Sequence, residues 1–136
     1  MITQAQRSEL VARASEARQN AYAPYSNYRV GAALLAGSGE VYTGVNVENA
    51  VYPTGTCAER TAIFKAVSEG ERAFKAIAVV TENGGTPCGS CRQMLAEFGL
   101  DTLVLIADAS GRVVSETNVR ALLPQAFGSA DLPPRA

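Results

Sequence analysis

Residues 76–107 read AIAVVTENGGTPCGSCRQMLAEFGLDTLVLIA, and the order of patterns in this stretch decides the fold. Residues 76–81 form a continuous apolar run of strand length, and Asn83-Gly84-Gly85 is a loop signal. Thr86-Pro87 predicts the opening of a helix, because proline suits the first helical position. That helix is expected to reach about Phe98 and to stop at Gly99. Residues 102–107 are a second fully apolar strand. Strand, helix, strand in this order predicts a parallel crossover pair buried on both faces.

Working upstream, Thr3 and Gln6 have capping-box spacing, and Leu10, Val11, Ala14, Ala17 and Ala21 follow at helical intervals. This first helix is expected to end near Asn20. Residues 30–36 and 41–47 read as strands, and Gly37-Ser38-Gly39 between them makes a hairpin. A second helix is expected from Cys57 to about Ser68, stopped by Gly70. Downstream, Val113-Val114 predicts a short strand and residues 118–123 a short helix. Residues 129–136 read as a loose tail. The sum is an α/β fold, a three-layer α/β/α sandwich with a mixed sheet of about five strands and helices on both sides.

With 136 residues, 47% of them hydrophobic and 18% charged, the chain is expected to fold as one globular domain over 1–136. Its formal net charge of −1 offers no basic field, so nucleic acid is not an expected main partner. No apolar run approaches the length of a membrane span, and the polar residues 1–10 do not look like a secretory signal. The cysteines number 3, and an odd number does not close a disulfide framework, so a cytoplasmic protein is expected. The low charged fraction also leaves apolar surface that other subunits can cover. Histidine is absent, which removes Ser-His-Asp and Cys-His chemistry at once.

The cysteines fall in two short segments, Thr56-Cys57-Ala58-Glu59-Arg60 and Pro87-Cys88-Gly89-Ser90-Cys91-Arg92, each at a predicted helix start. Unpaired N–H groups there carry partial positive charge, which favours thiolate, the form that binds a metal. Cys88 and Cys91 are three apart and share a helix face, so Cys57 would come from a neighbouring helix as a third ligand. Structural zinc sites close with four protein ligands, whereas catalytic ones use three and leave a position to water. Glu59 would sit near the ion, placed to take a proton from water and hand it to a substrate. Plainer readings stand beside this one. Cys88 and Cys91 alone also fit a thiol redox pair or half of a structural zinc site, and Glu59 alone would complete a capping box with Thr56.

Cys57-Ala58-Glu59 together with Pro87-Cys88-Gly89-Ser90-Cys91 resembles the signature of cytidine deaminases. The likeness extends to residues 24–33, 44–50 and 122–128, and to the short three-cysteine homotetrameric branch of that family. It implies one Zn2+ per subunit, held by Cys57, Cys88 and Cys91, with Glu59 as the catalytic proton shuttle and Arg60 supporting the thiolates. Asn46 and Glu48 would hydrogen-bond the ribose, Tyr28 would pack on the base, and Ala58 would complete the subunit's own substrate contacts. Tyr52 and Phe127 would enter a neighbouring subunit's site, in a homotetramer with shared active sites. The implied activity is hydrolysis of cytidine and 2'-deoxycytidine to uridine and 2'-deoxyuridine with release of ammonia, as in pyrimidine salvage. A relative acting on a cytosine-bearing antibiotic such as blasticidin S has the same signature. One departure is specific: Tyr28 stands where the family usually has Phe, and a buried phenol needs a partner for its hydroxyl.

Overall fold

The computed structural model describes residues 1–134. Helix α1 (Gln4–Arg18) is followed by strands β1 (Gly31–Ala36) and β2 (Val41–Val45), then α2 (Ala58–Ser68) and β3 (Phe74–Val80). Helix α3 (Gly89–Phe98), strands β4 (Leu103–Ala107) and β5 (Val113–Asn118), and the short α4 (Val119–Leu122) complete the order. The strands make one sheet in the order β2-β1-β3-β4-β5. β3 and β4 run parallel, with Ala76 opposite Leu103, and the other neighbours are antiparallel. The crossover read from residues 76–107 is therefore present.

Two apolar clusters cover the two faces of the sheet. Leu10, Val11 and Ala14 of α1 pack on Ala33, Leu35, Ala78 and Leu105. On the other face Ala58, Ala62, Ile63 and Ala66 of α2, with Leu95 of α3 and Val119, pack on Leu34, Ile77, Val79 and Ile106. Side chains alternate across strands, so each central strand feeds both clusters. Every residue of β1 is buried as a result. Helix α2 lies close on β2 because Gly44 has no side chain. A Cβ there would collide with the backbone oxygen of Ala58 and come within 2.5 Å of Ala62 N.

The Thr3–Gln6 capping box forms as expected, with Gln6 N donating to Thr3 Oγ1 at 3.1 Å and Thr3 N to Gln6 Oε1 at 2.8 Å. The helix it opens ends at Arg18, two residues before Asn20. Three boundaries differ more. Helix α3 starts at Gly89 rather than at Pro87, because Thr86 and Pro87 stay outside the helix and Cys88 is its N-cap, with φ −65° and ψ 167°. Strand β5 is longer than Val113-Val114. It continues through Ser115, Glu116 and Thr117, polar residues on a mostly exposed edge whose pattern carries no apolar signal. Strand β2 stops at Val45, yet Val47 still forms isolated bridges to Tyr22 and to Thr56. Those bridges gather three loop segments at one end of the sheet. In the segment read as a loose tail, Ser129–Asp131 makes a 3-10 turn, with Gly128 N donating to Asp131 Oδ2 at 2.9 Å. Arg135 and Ala136, the last two positions of that segment, lie outside the described residues.

Candidate active site

Cys57 is the N-cap of α2 and Cys88 the N-cap of α3, while Cys91 stands in the first turn of α3. The two helix starts converge, so that the three Sγ atoms lie within 4.8 Å of one another. Cys57 Sγ and Cys88 Sγ are 3.9 Å apart. Zinc–thiolate bonds of about 2.3 Å in tetrahedral geometry separate sulfurs by roughly 3.8 Å, so the spacing fits one ion. Neither cap makes a side-chain hydrogen bond to its own helix, and the Thr56–Glu59 capping box does not form, because Cys57 is the N-cap.

Arg60 lies on the same helix turn, with Nη2 at 3.5 Å from Cys57 Sγ. Its buried Nε has no protein partner. A dication with three thiolates carries +2 − 3 = −1, which this guanidinium neutralises. The hydrogen bond from Cys91 and the Arg60 charge hold the Cys57 thiol well below the ordinary thiol range. The same Cys57–Cys91 hydrogen bond, with burial and the nearby Glu59 and Cys57 charges, pushes Cys91 up. Cys57 is thus primed as a thiolate beside a half-buried cation, and Cys91 shares its proton with Cys57 until a metal displaces it.

Glu59 is 4% exposed, and burial pushes its carboxyl up to about 7. It is not a member of the three-sulfur group. A carboxyl of that kind can both accept and return a proton near neutral pH. Glu59, Cys57 and Cys88 open onto a cavity of about 700 Å³, whose wall also includes Tyr28, Asn46, Glu48, Ala58 and Tyr52.

The sequence-derived site residues are thus brought together, with one exception. Phe127 is 58% exposed and stands away from this cavity, its backbone oxygen accepting from Gln93 Nε2 at 2.8 Å. Tyr52 is at the rim and 75% exposed, with its ring edge-on to Tyr25 at 5.9 Å. Asn46 and Glu48 line the cavity side by side, and both also organise its wall. Asn46 Nδ2 donates to Tyr28 O at 2.8 Å, and Asn46 Oδ1 accepts from Val30 N at 2.9 Å. Glu48 Oε1 accepts from Tyr25 N at 2.9 Å and Ser26 N at 3.0 Å, and Oε2 accepts from the Ser26 hydroxyl. The Ser26 hydroxyl and the two backbone donors hold the Glu48 carboxyl below its usual range.

Arg92 has no role in the sequence-based reading, yet it is a junction. Its Nε donates to Pro87 O at 2.8 Å, Nη1 to Leu122 O at 2.7 Å, and Nη2 to Thr86 Oγ1 at 3.0 Å. The available signal was its position one turn past Cys88, where a long side chain can fold back on carbonyls preceding the helix.

Residues 4–107 match the family profile of the cytidine and deoxycytidylate deaminase zinc-binding region. The chain belongs to this deaminase family. A cytidine deaminase of Sporosarcina psychrophila is 50% identical over 127 residues, covering 91% of this chain and 93% of that protein. One from Halalkalibacterium halodurans is 49% identical, covering 93% of this chain and 97% of its own length. The solved cytidine deaminase of Burkholderia pseudomallei superposes with a TM-score of 0.84 at 46% identity, covering 93% of this chain and all of that one. Zinc is the metal of this deaminase family, and the Cys57–Cys88–Cys91 cluster is the group of described residues that can hold one ion. No described helix is long and apolar enough to cross a membrane.

Proposed function

We propose that this chain catalyses the hydrolytic deamination of cytidine and 2'-deoxycytidine to uridine and 2'-deoxyuridine, releasing ammonia, with one zinc per subunit. The observation that carries this is a cluster of three sulfurs at two helix starts with a buried carboxyl, of which Cys57, Cys88 and Glu59 open onto one nucleoside-sized cavity. Cys57, Cys88 and Cys91 would hold the metal, with Arg60 offsetting thiolate charge. Zinc, when bound, supplies acidification of water, which makes a usable nucleophile near neutral pH.

Glu59 moves the protons. As a water oxygen adds to C4 of the base, the carboxylate takes one proton and gives it to ring N3, which lets the C4=N3 electrons settle on nitrogen. It then passes the second water proton to the 4-amino group. The C4–N bond breaks, its electron pair leaves with ammonia, and the C4=O bond of the product forms. The low-dielectric wall around Glu59 strengthens these proton transfers. Asn46 and Glu48 bind the ribose with hydrogen-bonding capacity left over from their backbone contacts: an amide N–H, and free lone pairs of the carboxylate. Tyr28 packs on the base, and Ala58 lets the ring approach α2 closely.

Tyr52 and Phe127 are large, exposed and apolar, which supports their reaching the site of a neighbouring copy in a homotetramer. The cytoplasm, where thiols stay reduced, suits a subunit whose cysteines all serve a metal. A spectrophotometric assay on cytidine and deoxycytidine, with ammonia measured in parallel, tests the activity. Stoichiometric ammonia is expected. Purified zinc-loaded protein that leaves both nucleosides intact would overturn it, and light scattering showing a monomer would overturn the shared sites.

A further inference from the structure

Tyr28 is held at every polar atom it has. Its N–H donates to Ser26 Oγ at 3.0 Å, its carbonyl accepts from Asn46, and its hydroxyl donates to Asn83 Oδ1 at 2.8 Å. The preceding residue, Asn27, takes a left-handed conformation with φ 58°, which turns the chain so that the Tyr28 ring stands on the cavity wall. Asn83 belongs to the loop between β3 and α3, the same loop that delivers Cys88. That loop carries an oriented relay. Gly85 N donates to Thr81 Oγ1 at 2.7 Å, and Thr81 Oγ1 donates in turn to Asn83 Oδ1 at 3.5 Å. Thr81 is buried at the end of β3, so the relay is anchored in the sheet. Gly85 sits at the junction, where a Cβ would lie 2.6 Å from the Tyr28 hydroxyl oxygen and 3.6 Å from Asn83 Oδ1.

We propose that Asn83 is a positioning residue for the nucleoside site: through the Tyr28 hydroxyl it ties the base-facing ring to the loop bearing Cys88, with Gly85 leaving room for the tie. This rests on the functional assignment above. A phenylalanine at position 28 would keep the ring and lose the strut, so the tyrosine hydroxyl has a structural task here. Asn83 touches the ring's hydroxyl and not the reacting atoms. Its effect therefore falls on how well the pocket is formed before substrate arrives, which places it in KM rather than in kcat.

Steady-state kinetics on cytidine with the zinc-loaded protein decide the matter, with zinc content and thermal midpoint recorded for each variant. Asn83→Ala and Tyr28→Phe are each expected to raise KM about three- to tenfold, the size of one lost hydrogen bond, with most of the loss in KM. The double variant is expected to match the worse single one, because both remove the same bond. Asn83→Asp keeps an acceptor oxygen and is expected to recover most of the affinity. Gly85→Ala is expected to raise KM in the parent and less so with Tyr28→Phe, where the obstructing oxygen is gone. Multiplying effects in the double variant, an Asn83→Ala KM equal to the parent's, or a fall in zinc content and kcat without a KM change would each overturn the strut. A parent protein that releases no ammonia from cytidine would instead overturn the functional assignment beneath it.

Discussion

The two helix starts that supply the sulfurs are built by different means. The start of α2 is packed: Ala58 and Glu59 are buried, and Gly44 lets the helix settle on β2. The start of α3 is open, with Cys88, Gly89 and Ser90 exposed. Side-chain hydrogen bonds hold it instead, from Arg92 to Pro87 and Thr86, and from Gly85 to Thr81. Apolar packing gives Glu59 the dry setting that raises its carboxyl, and a polar network keeps Cys88 at a rim that substrate and metal can reach, with Cys91 buried behind it. Dryness and access are requirements in conflict, and placing them on two helices satisfies both.

Removing the proton carrier should show the largest effect. Glu59→Gln keeps the size of the side chain and loses its titration, so kcat for cytidine is expected to fall by about 10²- to 10⁴-fold with zinc content unchanged. Retained turnover would separate Glu59 from the chemistry and leave the packed start of α2 a purely structural feature. Next comes the packing itself. Gly44→Val should force α2 off β2 and lower unfolding free energy by roughly 1–3 kcal/mol in denaturant titrations.

Arg92→Ala probes the open start. Losing its bonds to two backbone oxygens should cost about 1–3 kcal/mol and speed zinc release to a chelator. Gly44→Val and Arg92→Ala thus sharpen the contrast if the first mainly lowers stability and the second mainly loosens the metal. Equal effects on both measurements would break it.

The smallest effect concerns pH. The Glu48 carboxyl is held below its ordinary 4.5 by the Ser26 hydroxyl and nearby N–H donors. Its contribution to folding is therefore complete above that value and is lost as pH falls through the lowered one. Melting curves of parent and Glu48→Gln should differ by a constant amount above about pH 5 and converge in more acidic buffer.

Much of this was legible in local pattern. The apolar runs at 76–81 and 102–107 flank one helix, which is enough to specify the parallel pair. The cysteine spacing, with a helix start at each segment, was enough to locate the three-sulfur cluster. Pro87 misplaced a boundary, because proline is as comfortable just before a helix as at its first position. Ser115, Glu116 and Thr117 hid most of β5, since an edge strand does not require an apolar face. The pairing of Tyr28 with Asn83 spans 55 positions and leaves no periodic trace. Arg92 reads as an ordinary helix charge until the carbonyls it meets are in place. What the sequence conceals are long-range polar contacts, whose partners are chosen by the fold rather than by neighbours in the chain.

The central claim is that the sulfurs of Cys57, Cys88 and Cys91 bind one zinc and leave a coordination position for the reaction. X-ray absorption at the zinc edge of the purified protein measures this directly. The expected result is about one zinc per chain, with three sulfur neighbours near ~2.3 Å and a single light oxygen neighbour. A fourth sulfur or another protein ligand completing the shell, or native protein with no zinc, would contradict it.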